Sequence, residues 1–376
     1  LKGNSEPVLR YTRDTLGLFT FGGDPIARYN LPGRPVFDPI TGILFYFGLL
    51  LAIKRWREPR NLFVLIWLPI GLLPSMLSDS APSFLRASVS LPVTFLFPAL
   101  AVDWMLKPCE DSGDLRSRAF ARLWVLLRVF VSSWLIIAAV FTIRDYFVVW
   151  PNRSDVREVY RSDLAAAAKW IEQQPGNEPI VVASTNPRDL DPFLFDFQVP
   201  TKHAVKWVDR AFGLVMPASP GKVISPVFSQ LDPTLRGLIA GTFVSVGLAS
   251  APQTITFADG SPAFEVFDVR PYPVFPGGPR FVVAGASSSD KRTGPTIELA
   301  AYELAGGARA GEPLFLTLSW RVVKDTAGEQ LPLSLFAHLL DERGEFAAGR
   351  DLLAFPTAGW RNGDVWIQQN DVPLPD

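Results

Sequence analysis

Four stretches without a single charged residue, at 39–53, 61–78, 87–102 and 129–143, constrain this chain more than anything else in it. Helped by flanking Trp and by Lys and Arg stems that snorkel, each approaches the roughly 20 residues needed to cross about 30 Å of hydrocarbon. A soluble helical domain would show polar faces at the helical period, and no such stripe runs through these segments. They predict a transmembrane bundle with spans at about 38–54, 61–78, 87–106 and 123–145. Pro69, Pro74, Pro92 and Pro98 fall inside two of the spans. Lipid tolerates them where neighbouring helices satisfy the freed carbonyls, so they point to a packed bundle. A chain that is 48% hydrophobic and 19% charged fits this reading.

Charge divides the chain in two. Residues 1–150 carry 16 Lys and Arg against 11 Asp and Glu, and residues 151–376 carry 20 against 26. This is the balance of a membrane module with a soluble appendage, and without a dense basic stripe it excludes nucleic acid as a partner. The single cysteine, Cys109, makes no intramolecular disulfide, and two histidines without a Cys/His cluster give no zinc site. No cofactor is assigned, although a carboxylate-held divalent cation stays open. The chain opens on Leu1 and stops at Asp376 in a strand-like passage, which reads as a piece of a longer protein.

Loop cations set the orientation. Lys54, Arg55, Arg57 and Arg60 lie in one connection and Lys107, Arg116, Arg118 and Arg122 in another, and both belong in the cytoplasm by the positive-inside rule. The chain is then a multi-pass plasma-membrane protein with residues 1–37, the loop near 79–86 and everything after about 145 outside. Tyr146, Phe147 and Trp150 form an aromatic belt at the last exit.

Two external passages are more polar than membrane loops require. One is Gly22-Gly23-Asp24-Pro25-Ile26-Ala27-Arg28-Tyr29-Asn30-Leu31-Pro32-Gly33, and the other runs from Ser78 through Asp79 and Pro82 to Arg86. An arginine at the water–lipid boundary is suited to a lipid phosphate, because its planar guanidinium binds phosphate oxygens in pairs. Arg86 is the first candidate and Arg28 the second. Asp24, Asn30 and Asp79 are candidate polar contacts for a cation or an acceptor hydroxyl, with ordinary turn chemistry as the alternative.

The soluble half reads as two domains. Residues 151–269 suggest a small external α/β domain: an amphipathic helix at 156–173, a buried strand at 179–184, and strands near 201–208, 241–246, 254–257 and 263–269. Neither a G-x-G-x-x-G nor a P-loop is present, so no nucleotide site is predicted. Four prolines and two glycines make 270–280 a linker. Short strands at 280–284, 297–304, 314–322, 333–340, 346–352 and 365–369, with a turn at 341–345, predict a β-sandwich over 281–376, truncated at its end. Trp320, Trp360 and Trp366 suit either a sugar-stacking platform or a core, and core packing is the preferred use. His203 and His338 read as structural.

The motifs D-P-x-x-R-x-N-L-P-G at 24–33 and S-D-x-A-P-x-x-L-R at 78–86, with the RDYFVVWPNRSDVREVYRSDLAAAAKWI passage after the last span, resemble the C-terminal half of bacterial GT-C fold membrane glycosyltransferases. The protein O-mannosyltransferase and aminoarabinose-transferase group is the nearest in pattern. Tyr29 and Ser83 stand where many relatives carry His. The resemblance implies a polyprenyl-phosphate sugar donor and transfer on the external face to a glycan, lipid or protein acceptor. It also implies a catalytic carboxylate upstream of Leu1. The competing expectation is a non-catalytic, membrane-anchored glycan-binding protein.

Overall fold

A computed structural model describes residues 6–106, 115–174, 177–198, 203–273, 281–283, 297–305, 312–326, 328–331 and 333–374. Lys107, Cys109 and most of the expected linker lie outside the described residues. The chain is multidomain and mixed α/β, and it divides into two compact units, Leu1–Tyr160 and Arg161–Asp376.

The first unit is helical. Residues 1–37, expected as a loop, contain helix α1 (Glu6–Gly17), whose Thr15 hydroxyl lies 3.0 Å from that of Ser75. Helix α2 (Pro39–Lys54) starts where its sequence says it should. Asp38 accepts from the amides of Ile40 and Thr41 at 3.0 Å, and Pro39 fills the first position, where no N–H is needed. Helix α3 (Pro59–Met76) follows.

The third apolar segment begins at Phe84, three residues before its expected start, and is broken. It comprises α4 (Phe84–Ala87), a 3₁₀ turn at Ser88–Ser90, α5 (Leu91–Thr94) and α6 (Leu96–Leu106). Pro92 and Pro98 bring no N–H to the ladder. Hydroxyls take over part of it: Ser90 Oγ donates to the Ala87 carbonyl at 2.7 Å and Thr94 Oγ1 to the Ser90 carbonyl at 2.8 Å. Helix α7 (Leu115–Arg144) runs on through a π turn at Asp145–Val149, and α8 (Ser154–Val159) closes the unit.

Among the described residues three helical segments are long and apolar enough to cross a membrane, Pro59–Met76, Phe84–Met105 and Trp124–Asn152, which marks a membrane protein. The first of the four expected spans, α2, has 16 residues and so reaches only about 24 Å. Within Trp124–Asn152 only 6% of the apolar window is buried. A large apolar face left uncovered in this way belongs against lipid. The bundle core is aromatic: Phe19 stacks on Phe45 at 4.7 Å and Phe97 meets the Phe45 ring edge-on at 5.5 Å.

The second unit opens on Arg161, whose φ of 51° ends the expected continuous helix and separates α8 from α9 (Ser162–Glu172). β1 (Ile180–Ser184), α10 (Leu190–Gln198), β2 (Val205–Asp209), β3 (Gly213–Met216) and β4 (Gly221–Pro226) come next. α11 (Pro233–Gly237) continues as a π turn at Leu238–Phe243, and then come β5 (Gln253–Thr256) and β6 (Pro262–Val269). The first sheet has the order β2-β1-β4-β6-β5, with β1 parallel to β2 and β4. The apolar run at 241–246, expected as a strand, is helical instead. Leu235, Ile239 and Phe243 recur every four residues and are all buried, which is a helix face.

The strands expected to build a sandwich are β7 (Phe281–Val283), β8 (Ile297–Ala305), β9 (Pro313–Val322), β10 (Phe336–Leu340), β11 (Phe346–Asp351) and β12 (Val365–Pro373). They form one five-stranded sheet, β3-β12-β9-β8-β7, and a two-stranded ribbon, β10-β11. The ribbon turns at 341–345 as expected, through Gly344 at φ 79°. β3, from the expected α/β domain, is an edge of the later sheet. A single core cluster joins Val181, Val223 and Phe267 to Trp320, Val322 and Trp366. The apolar core therefore does not divide at 270–280.

Candidate functional site

The two polar motifs of the first unit meet at Asp24. The 22–33 loop is closed by backbone bonds from Gly23 N to Gly33 O at 3.0 Å and from Gly33 N to Asp24 O at 2.9 Å. A Cβ on Gly23 would sit 1.8 Å from the Arg34 carbonyl oxygen, so this closure needs glycine. Asp24 is fully buried. Its Oδ1 accepts from the Ile26 amide at 2.8 Å, and its Oδ2 accepts from the Phe84 amide, 60 residues on, at 2.7 Å. Asp24 therefore fastens the first motif to the start of the third apolar segment. It is a fastener and not an open ligand contact.

The other sequence candidates fall into two groups. Arg86 and Asp79 are brought together as an ion pair at 3.9 Å with side chains 42% and 88% exposed, a contact that contributes little and leaves the guanidinium available. Asn30 turns inward, its Nδ2 donating to the Arg34 carbonyl at 3.4 Å. Arg28 lends its carbonyl to the Tyr160 hydroxyl at 2.9 Å. Its exposed guanidinium makes no ion pair or hydrogen bond with the described residues, and nothing brings it to Arg86.

Sequence reading missed the residues that tie the last helix to this loop. Arg34 pairs with Asp145 at 2.8 Å, Trp134 Nε1 donates to Asp38 at 2.7 Å, and Trp150 Nε1 donates to the Ala27 carbonyl at 2.7 Å. Trp150 was legible only as an interfacial residue. It also missed an open cleft of about 830 Å³ beside the motifs. Leu9, Leu16 and Phe21 give it apolar walls, Gly22, Gly23 and Pro82 bring the two motifs to it, and Arg13 and Asp14 of α1 charge its rim. Arg86, Arg28, Asn30 and Asp79 are not among its lining residues. The signal lay in α1, inside a segment read as loop.

In the second unit, Trp320, Trp360 and Trp366 are at most 7% exposed, which makes them core and removes the stacking platform. His338 Nε2 lies 2.8 Å from Asp351 Oδ1 across the ribbon. Among the described residues no three His, Cys, Asp or Glu side chains are grouped to hold a metal ion. Comparison with known proteins finds no matching family model, no matching curated protein and no matching solved structure.

Proposed function

We propose that the chain is part of an integral-membrane glycosyltransferase that moves a sugar from a polyprenyl-phosphate donor to an acceptor on the external face. The observation that carries the reading is Arg86 at the head of an apolar segment, exposed and held only by a long ion pair, four residues from a wall of the apolar cleft. An apolar groove with the Arg13 guanidinium at its rim, and with Arg86 four residues along the chain from Pro82, suits an anionic phosphate on an isoprenoid chain. The cation-rich connections at 54–60 and 107–122 support placing the opposite, motif-bearing side outside, with the helix Pro39–Lys54 as a fourth span. Transfer would displace the lipid phosphate at the anomeric carbon while a carboxylate takes the acceptor proton.

The test uses the complete protein in nanodiscs with a polyprenyl-phosphate sugar. Arg86→Ala removes a charge-assisted contact of about 1.5–3 kcal/mol and lowers transfer roughly ten- to hundredfold, and Arg86→Lys restores part of it. Arg128→Ala, which loses the Arg128 bond to the Met105 carbonyl, controls for general damage to the bundle. Normal yield with unchanged transfer in Arg86→Ala would falsify the donor-site reading.

A further inference from the structure

We propose that the second unit carries a cleft that binds a neutral, hydroxyl-rich glycan chain, between the outward face of β8, β9 and β12 and the helix that starts at Pro233. The cleft holds about 580 Å³, within the size range of small-ligand sites. Strand register builds one wall. Glu303 lies opposite Thr317 and Thr317 opposite Gln369, a three-strand row about 10 Å long, and Phe315 lies opposite Asp371 in the next row. Asp232, Thr234 and Thr242 supply the facing wall.

Unspent hydrogen-bonding capacity identifies the ligand. The Gln369 backbone amide donates to the Phe212 carbonyl at 2.8 Å, but its side-chain amide has no partner among the described residues. The Glu303 carboxylate and the Thr317 hydroxyl have none there either. Asp232 spends one oxygen on the Thr234 amide at 2.9 Å and keeps the other. Such a wall presents acceptors and donors side by side, and a sugar hydroxyl is both. Phe315, 52% exposed, adds an apolar face of the kind that sugar C–H groups cover.

Charge narrows the class. Three carboxylates line the cleft. The Arg350 guanidinium pairs with Asp371 and lies 4.3 Å over the Phe212 ring, so one of the three carboxylates is already answered. An anionic glycan is repelled by this set. A polyamine would answer the carboxylates but leave the Gln369 and threonine donors unused, which favours a neutral glycan.

The proposal stands apart from the Arg86 donor site, so either can fail alone. It is tested by saturation-transfer NMR and titration of the full chain in nanodiscs with maltohexaose, cellohexaose and mannohexaose, with trigalacturonate and spermine alongside. At least one neutral hexasaccharide is expected to bind, and Phe315→Ala and Gln369→Ala are each expected to weaken it about tenfold or more. Both positions are replaced without opening a core, and unchanged circular dichroism confirms folding. The proposal is overturned if none of the three neutral chains binds, if their binding survives both substitutions, or if spermine or trigalacturonate binds more tightly than all of them.

Discussion

Asp24 shows how much chemistry one carboxylate conceals from a sequence. It stands before a proline and among glycines, the setting of an ordinary turn, yet one of its oxygens serves Phe84, 60 residues away. Asp24→Ala strands two backbone donors and should cost about 2–4 kcal/mol, read as a lowered unfolding temperature of the full chain in detergent. Asp24→Asn keeps one acceptor and should lose about half as much; wild-type melting of the alanine variant would sink this account. Another buried carboxylate, Asp163, is equally silent in the sequence, since one of its partners, Phe228, lies 65 residues away. It accepts from the Phe228 amide at 2.8 Å and lies 3.6 Å from the Arg161 guanidinium, which also reaches Thr185 and Ser229 at 2.7 Å. Burial pushes the Asp163 carboxyl above its ordinary range, against the pull of the Phe228 amide and Arg161. A native pKa above the unfolded one means that the native state keeps the proton longer. Asp163 therefore contributes most below about pH 3.8, and that contribution fades as pH rises through its native pKa. Measured against the non-titrating Asp163→Asn, wild type should gain stability in thermal unfolding as pH falls towards about 3.8. A relative loss of wild-type stability over that fall in pH contradicts the assignment.

At the scale of elements, the apolar helices were legible because lipid demands long charge-free runs, and any such run betrays itself. Their packing was not legible. A Cβ on Gly48 of α2 would stand 1.7 Å from the Phe97 carbonyl oxygen, so the two helices touch through a bare backbone. Gly48→Ala must push α2 and α6 apart, at a cost of about 1–3 kcal/mol or more, whereas Gly17→Ala meets only the Phe21 Cβ at 4.0 Å. The expected result is a lower unfolding temperature and aggregation in detergent for Gly48→Ala alone; equal behaviour of the two variants refutes the close contact. In the second unit the readings failed where a short apolar run fits two periods. Residues 241–246 look like a strand in isolation, and only with Leu235 and Ile239 included does the four-residue spacing emerge. The break at Arg161 was hidden for another reason. A positive φ at a non-glycine residue is rare and carries no local signature, and here the guanidinium's buried partners hold it.

For the whole molecule, the decisive point is that one core cluster spans both halves of residues 161–376 although their sequence reads as two domains. The misreading arose because proline and glycine at 270–280 signal a linker locally, while pairing of β3 with β12 is a contact between strands about 150 residues apart. Lys206 of β2 also spans the join, bonding both Asp364 oxygens at 2.6 and 2.5 Å just before β12. Trp366 sits at the centre of it, 1% exposed, 4.8 Å from the Trp360 ring and 5.5 Å from that of Phe355. Truncating such a side chain to alanine costs about 3–5 kcal/mol. Trp366→Phe keeps most of the packing and removes an indole N–H that has no partner among the described residues, so it should cost less. If the core is shared, the loss spreads beyond the sheet that bears Trp366. Hydrogen exchange should then quicken at Val181 of β1 and Val223 of β4 as much as at Leu318 of β9 in Trp366→Ala, and unfolding of the unit should stay a single transition. Two independent domains would behave otherwise: exchange would quicken only in β3, β8, β9 and β12, β1 and β4 would keep wild-type protection, and a second transition would separate from the first.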